Sequence, residues 1–126
     1  SMNFLSVYSV ASSGMEAQSR RLRTIAENIA NADTPGFQRK ELTFDENHRD
    51  GGVAVTGVRL DETPLPSVYD PTHPMADEAG YYLGSNVSLV VEVADAREAQ
   101  RSYEANMRLF DQARQLSSSL LDLIKR

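Results

Sequence analysis

The sequence predicts an α+β fold, in which long N- and C-terminal helices form an antiparallel, coiled-coil-like core around a small β-rich middle segment. Apolar residues recur at alternating spacings of four and three at both ends of the 126-residue chain, which is helical periodicity. Residues 52–60 are β-branched and alternating, as in a strand. Thr34-Pro35-Gly36 separates the two patterns, because proline and glycine interrupt helices and favour turns. The predicted units are 2–33, 34–85 and 86–126.

The first helix is predicted over about residues 4–32. Its apolar stripe is sustained over four heptads and interrupted by the polar Gln18, as in a coiled-coil contact face. Gly14 costs an isolated helix roughly 1 kcal/mol relative to alanine, so we expect this helix to need a partner surface. The stripe consists of Phe4, Tyr8, Ala11, Met15, Gln18, Leu22, Ile25, Ile29 and Ala32.

The middle segment is predicted to be extended. Residues 37–44 form a possible strand, and the polar residues 47–52 indicate a turn before the strand at 52–60. Prolines in 65–69 suit an edge strand. Residues 70–85 contain two prolines and two glycines and are interpreted as a long loop over other structure.

The second helix is predicted to begin after Asn86 as its N-cap and to run for about forty residues. That exceeds the usual length of globular helices and predicts a coiled coil or a fibre element. Its stripe, interrupted by Arg114, consists of Leu89, Val93, Ala96, Gln100, Tyr103, Met107, Phe110, Ser117, Leu121 and Ile124. The other face offers ion pairs at helical spacing, namely Glu98–Arg101, Glu104–Arg108, Asp111–Arg114 and Asp122–Arg126.

The charge distribution argues against nucleic acid as a partner. The formal net charge is −5, and residues 40–85 carry three basic and nine acidic groups, whereas phosphate binding needs a basic surface. Arg20, Arg21 and Arg23 form the one basic cluster in the sequence and are interpreted as a solvated helix face. No apolar run is long enough to span a membrane, so we expect no membrane insertion, and we expect no cleaved signal peptide.

The sequence predicts no catalytic, cofactor-binding or metal-binding residue, and therefore no enzyme. The chain has no cysteine and two histidines, His48 and His73, neither of which has acidic residues at metal-ligand spacing. Tyr103 and Asn106 form the one polar and aromatic cluster on a helical stripe. Either they are core residues, or Asn106 fixes the register between packed helices. Asn28 and Asn31 invite the same two interpretations.

Three separated motifs resemble the bacterial flagellar rod and hook protein family. Residues 30–37, Ala-Asn-Ala-Asp-Thr-Pro-Gly-Phe, resemble its N-terminal signature, and Arg39 and Lys40 suit the basic positions that follow. Residues 101–106 resemble its C-terminal helix motif. Residues 68–81, with Asn86-Val87, are similar to a segment of the proximal rod subunit. Ser85, where a proline is frequent, and residues 82–84 depart from the pattern.

The resemblance implies a structural subunit of the flagellar basal-body rod, which polymerises through its terminal helices into the tubular drive shaft for motility. It implies export from the cytoplasm through the flagellar type III apparatus and a place in the periplasmic rod. The implied partners are copies of itself, other rod subunits, proteins at the MS-ring/rod junction, the export apparatus and the rod cap. The motif residues expected to act structurally are Asn28, Asn31, Thr34, Gly36, Phe37, Tyr103 and Asn106.

Two alternatives remain at this stage. A flagellar export chaperone or adaptor would also be small, acidic and helical. A distal rod or hook subunit would share the terminal motifs but carry a larger middle domain. In isolation the chain could also form a dimer or a swapped oligomer, because both apolar stripes need partners.

Overall fold

The computed structural model describes residues 3–45 and 51–125, and it confirms the predicted α+β class. In sequence order, four short strands lie between two long helices in the described part of the chain. His48 and most of the turn predicted at 47–52 lie outside the described residues, as does Arg126. The elements are α1 Phe4–Ala30, β1 Lys40–Asp45, β2 Ala54–Leu60, β3 Ser67–Tyr69, β4 Tyr81–Leu83 and α2 Leu89–Ile124.

The two helices pack against each other antiparallel, as predicted. Near the start of α1 the rings of Tyr8 and Phe110 lie 4.9 Å apart between centroids, and near its end Asn28 donates a 3.3 Å hydrogen bond to Glu92. The first residues of α1 therefore lie beside the region just after Phe110. Because α2 continues to Ile124, its last ten or so residues extend about 15 Å past the start of α1. Among the described residues, neither helix is long and apolar enough to cross a membrane.

Small side chains form the interface between the helices. A Cβ atom added to Gly14 would lie 2.5 Å from Oδ1 of Asn106, so the helices approach too closely there for any larger residue without rearrangement. Four of the five buried apolar residues in the described part of the chain are alanines. These five are Ala11, Ala17, Ile25, Ala99 and Ala113.

The contact faces are consequently offset from the predicted stripes. Within one chain the α2 face turned toward α1 runs through Glu92, Ala99 and Ala113, one position before the predicted Val93, Gln100 and Arg114. Of the predicted stripes, Ala11 and Ile25 are buried, whereas Tyr8, Met15, Leu22, Tyr103 and Phe110 are half-buried. The exposed members include Ile29, Val93, Met107, Leu121 and Ile124. Their packing between subunits stays a prediction.

The strands form two separate antiparallel pairs. In the first, β1 pairs with β2 with an irregularity between Thr43 and Phe44, and α1 packs against both strands. In the second, β3 pairs with β4, so the prediction that 70–85 is a loop is wrong at Tyr81–Leu83. Gly80, with φ +92°, turns the chain there, and a Cβ atom on it would meet the Tyr69 ring at 2.8 Å. This turn places a short strand in a segment with little strand pattern of its own.

The predicted N-cap of α2 is also wrong. Ser88 caps the helix, with its hydroxyl accepting from the N–H of Val91 at 3.5 Å. Asn86 lies two residues upstream and makes a different set of hydrogen bonds, described below. Both residue types are good N-caps, so composition alone did not distinguish them.

Of the ion pairs predicted along α2, Asp111–Arg114 forms at 3.8 Å. The predicted pairs of Arg101 with Glu98 and of Arg108 with Glu104 do not form. Glu98 instead lies 3.4 Å from Arg21 on α1, so Arg21 belongs to the interface between the helices and not to a solvated face. Because Glu98 contacts Arg21 across the interface, it does not pair with Arg101 on its own helix.

Candidate functional site

The motif at 30–37 shapes the turn that follows α1. Asn31 is the C-cap, and its side-chain amide donates to the carbonyl of Glu27 at 2.8 Å. Its Oδ1 accepts from the hydroxyl of Thr34 at 3.0 Å. Gly36 adopts φ +76°, a conformation that glycine adopts without the Cβ penalty of other residues, and donates its N–H to the carbonyl of Leu83 at 3.1 Å. The turn therefore joins the end of α1 to the β3–β4 pair.

Asn28 ties the last turns of α1 to β1 and α2. Its side chain is fully buried. The amide nitrogen donates to the carbonyl of Lys40 at 2.8 Å and to Glu92 at 3.3 Å, and Oδ1 accepts from the N–H of Lys40 at 2.9 Å. One side chain thus satisfies both backbone groups of Lys40 at the first residue of β1.

Arg39 lies buried at the centre of this region, surrounded by carboxylates. Its guanidinium donates to Glu92, which is fully buried, and to Glu41. It also donates to Asp95 at 2.6 Å and lies 3.7 Å from Asp61. We call these five residues the arginine cluster. Its members come from α2, from β1 and from the segments just before β1 and just after β2, so a single guanidinium links α2 to the β1–β2 pair.

The electrostatics of the arginine cluster favour the charged forms of Arg39, Glu41 and Asp61. Burial opposes the charge on Arg39, but hydrogen bonds to Glu92 and Glu41 outweigh it and raise the pKa of Arg39. The hydrogen bond from Arg59, followed by that from Arg39, lowers the pKa of Glu41. Hydrogen bonds from Thr63 lower the pKa of Asp61. Glu41 and Asp61 are therefore ionised beside a charged Arg39 at neutral pH.

Asn86 completes the region by holding the connection after β2. Its Oδ1 accepts from the N–H of Arg39 at 2.6 Å. Its amide nitrogen donates to the carbonyls of Asp61 at 3.0 Å and Thr63 at 2.9 Å, and its own N–H donates to Phe37. We call this region, which comprises residues 28–41, Asn86 and the carboxylates of the arginine cluster, the corner.

The structure gathers five of the seven motif residues at the corner. Tyr103 and Asn106 lie elsewhere, because Asn106 is fourteen residues, or about 21 Å, along α2 from Glu92. The Asn106 amide donates to the carbonyl of Ser102 at 2.9 Å while its side chain fills the space over Gly14. Tyr103 lines a shallow cleft between the helices with Leu22 and Met107.

The four carboxylates of the arginine cluster were not predicted from the sequence. Glu92 interrupts the apolar run Leu89-Val90-Val91-Glu92-Val93, and a charged residue in such a run indicates a buried partner. That partner is Arg39, which the sequence analysis singled out only as a basic position of the motif. Pairing them required knowledge of which turn of α2 lies beside the end of α1.

The corner is suited to structural linkage. Its carboxylates are engaged by arginines, and the described residues contain no group of three or more side chains that could hold a metal ion. His73 stacks on Tyr82 at 3.9 Å between centroids, and its Nδ1 accepts from the N–H of Met75 at 3.1 Å. These contacts fit packing within the loop.

Comparisons with known proteins match both ends and nearly the full length of the chain. Residues 9–38 match the family model for flagella basal body rod proteins, and residues 78–123 match that for the C-terminal part of the flagellar basal body rod FlgEFG proteins. The flagellar basal-body rod protein FlgC of Agrobacterium fabrum is 43% identical, covering 92% of this chain and 91% of its own. FlgC of Escherichia coli O6:H1 and of Salmonella typhimurium are each 33% identical over 97% of this chain and 98% of theirs.

Proposed function

This chain belongs to the flagellar basal-body rod protein family, and on that premise we propose how it acts as a structural subunit of the rod. The family is one of structural proteins and not of enzymes, and its members are basal-body components. We propose that this chain polymerises through the outward faces of its two helices into the tubular drive shaft of the flagellum.

The exposed apolar surface of α2 is the observation that carries this proposal. The end of α2 that extends past α1 contains several large apolar residues with no covering in one chain, and Ile124 is 79% exposed. A soluble monomer rarely exposes a contiguous set of this kind, and such sets mark interaction sites. The residues are Leu116, Leu120, Leu121, Leu123 and Ile124.

The exposed members of the predicted stripes fit the same role. Ile29 and Met107 are 41% and 43% exposed in one chain. In a packed tube they would lie against neighbouring helices, as would the half-buried Tyr8, Met15, Leu22 and Phe110. The small residues would thus pack the two helices of one chain against each other, and the large exposed residues would then pack neighbouring chains during assembly.

We further propose the neighbours and the route of this subunit. Its partners would be copies of itself, other rod subunits and proteins of the MS-ring/rod junction, with the export apparatus and rod cap acting during assembly. It would be exported from the cytoplasm without a cleaved signal and reside in the periplasmic part of the rod. Two helices that share few large buried side chains are compatible with export as an unfolded chain.

The corner is proposed to hold the helical core and the β-containing segment at a fixed angle. Asn31, Thr34, Gly36 and Phe37 shape the turn, and Asn28 fixes it to both helices. Tyr103 and Asn106 would act separately, by setting how the helices register against each other at Gly14.

Substitution of Gly36 tests the corner. Gly36→Val should abolish motility, because a β-branched residue is strained at φ +76°. Apart from the chain neighbours, no described atom lies within 4 Å of a Cβ built there, so the strain is in the backbone. Gly36→Asn is the matched control, since asparagine tolerates this conformation better. Swimming on soft agar and the content of isolated hook–basal bodies are the measurements. Normal swimming of Gly36→Val would contradict the proposal.

The chaperone alternative is tested by location. A chaperone would bind a client and be absent from isolated hook–basal bodies, whereas a rod subunit must be present in them. The distal rod or hook alternative is disfavoured by length, because this chain covers 98% of the E. coli FlgC sequence and has no room for a larger middle domain.

A further inference from the structure

An unpaired basic surface runs along α2 on the side away from the corner. Arg97, Arg101 and Arg108 are spaced by four and seven residues, which places them within about 40° of each other around the helix. All three are exposed, and in the described part of the chain none forms an ion pair. We call these three residues the basic stripe. Glu104 shares this face, so its net charge is +2.

The basic stripe continues into an apolar surface toward the start of α2. Arg97 lines a shallow cleft with Leu89, Val90 and Val93, and Val90 is 81% exposed. A partner for this face must therefore present both acidic and apolar groups.

The β3–β4 pair presents that combination. Residues 61–88 contain five carboxylates and no lysine or arginine, and after Asp61 is assigned to the arginine cluster four remain. Tyr69 and Tyr81 lie side by side with ring centroids 5.1 Å apart and are 63% and 44% exposed. Leu83 adds a further exposed apolar group. Tyrosine is a favoured residue at the centre of protein interfaces, and arginine binds well over aromatic rings.

These two surfaces do not meet within one chain. Among the described elements, β3 and β4 contact only each other, and the pair is attached through backbone hydrogen bonds from Gly36 to Leu83 and Gly84. Of the remaining carboxylates, Glu62 lines a cleft with Arg59 just after β2. Asp70, Asp77 and Glu78 lie between β3 and β4, and none of these three forms an ion pair in the described residues.

We infer that the β3–β4 pair of one copy docks on the basic stripe and adjoining apolar cleft of a second copy. The inference rests on the proposed function and specifies one contact between subunits beyond the packing of helices. Because two different surfaces meet in this contact, it can repeat from copy to copy as a heterologous contact. Such a contact would set the direction in which subunits add.

The first experiment uses introduced cysteines, because the natural chain contains none. Full-length chains carrying Glu78→Cys are mixed with a size-tagged chain carrying Arg97→Cys, Arg101→Cys or Arg108→Cys, and oxidised. A disulfide forms only if the Cα atoms approach within about 7 Å. We expect a mixed dimer with at least one stripe position at protein concentrations up to about 1 mM, where weak contacts are populated.

The control partner is Arg23→Cys, an exposed position on α1 outside the basic stripe. The inference predicts at least a tenfold lower yield of mixed dimer with this partner. The same single-cysteine chains are then oxidised in basal bodies in cells. Equal yields for the α1 and stripe positions, or no stripe dimer in either setting, would overturn the inference.

The second experiment exchanges charges. Arg97→Glu with Arg101→Glu in one chain, or Glu78→Arg in another, should each reduce docking at least tenfold, measured by analytical ultracentrifugation at low salt on chains without introduced cysteines. Mixing the two variants restores opposite charges and should recover the contact. Failure of the mixture to recover would overturn the inference, because electrostatic complementarity determines the pairing of such surfaces.

The two proposals fail in distinguishable ways. If the chain is present in isolated basal bodies, but the stripe cross-links do not form and the charge exchanges do not alter docking, the docking inference alone is wrong. If the chain is absent from basal bodies, the proposed function itself is wrong.

Discussion

The corner and the far end of the helical hairpin, which is the part of α2 that extends past α1 (residues 116–124), differ in which side chains they bury. At the corner, polar groups are buried and mostly paired: Glu92 is fully enclosed, its Oε1 is bound by Arg39 and Asn28, and its Oε2 has no hydrogen-bond partner among the described residues. At the far end, apolar groups are exposed and unmatched, including Leu123 and Ile124. One chain pairs most polar groups of the first region by itself, whereas the second region becomes buried only when another molecule covers it.

This difference separates specificity from assembly energy. A buried ion pair contributes little net stability, because desolvation offsets its attraction, but it penalises every arrangement that leaves one partner alone. Covering an exposed leucine contributes about 1.5–3 kcal/mol. We therefore propose that the corner defines the angle of the fold and that the far end of α2 supplies free energy to polymerisation.

Removal of the central guanidinium should have the largest effect on the isolated chain. Arg39→Met leaves the buried carboxylate of Glu92 without its cation, which typically costs about 3–5 kcal/mol. Urea unfolding followed by circular dichroism measures the free energy of unfolding. Arg97→Met is the control, because Arg97 is exposed and unpaired in the described structure, and it should change that free energy by less than about 0.5 kcal/mol.

A double variant sharpens this prediction. Arg39→Met with Glu92→Leu removes both buried charges and should recover much of the lost stability. Equal stability of Arg39→Met and Arg97→Met would contradict the structural role of the corner.

Gly14→Ala should change the free energy of unfolding less than Arg39→Met does, and the sign of the change should depend on the residue at position 106. Gly14→Ala gains about 1 kcal/mol of helix propensity, but its Cβ overlaps the Asn106 side chain, and overpacking typically costs about 1–3 kcal/mol. We expect Gly14→Ala to be neutral or destabilising in the natural chain and stabilising in an Asn106→Ala background. The same sign in both backgrounds would rule out Asn106 as the residue that limits helix approach.

Acid should weaken the corner before the far end. The pKa values of Glu41 and Asp61 are lowered in the fold, so their contribution is fully present above their unfolded values, near 4.3 and 3.9. It is lost as the pH falls through the lower folded values. The free energy of unfolding should thus decline below about pH 4. Glu41→Gln should flatten this decline in urea titrations, and an unchanged slope would remove Glu41 from the explanation.

Changes at the far end should have the smallest effect on the monomer and a large one on assembly. Leu120→Gln with Leu123→Gln should alter the free energy of unfolding by less than about 0.5 kcal/mol, since both side chains are exposed. Swimming should nevertheless be lost. Gln115→Ala, at an exposed polar position on the same helix, should preserve swimming. Normal motility of the double variant would exclude this surface from the rod contact.

The sequence predicted the architecture because periodicity and turn residues are local signals. The helical stripes, the break at 34–36 and the strand at 52–60 each depend on neighbours in the chain. The strand Tyr81–Leu83 was missed because its stability comes from pairing with β3 and from the turn at Gly80, neither of which shows as alternation.

The corner could be predicted only in part, for a related reason. Gly36 and Asn31 carry conformational preferences that are legible in sequence, whereas the pairing of Arg39 with Glu92 spans fifty-three residues. The contact face of α2 was offset by one position because large apolar residues were assumed to face inward. In this chain the small residues face inward, and many of the large ones are exposed.

Hydrogen exchange along both helices tests the central claim most directly. In the purified monomer, we expect strong protection around Asn28, Lys40 and the first turns of α2, and weak protection over residues 116–124. In isolated hook–basal bodies the latter segment should become protected. Uniform protection along α2 in the monomer, or no gain at 116–124 on assembly, would contradict the division between a self-sufficient corner and a far end completed by neighbours.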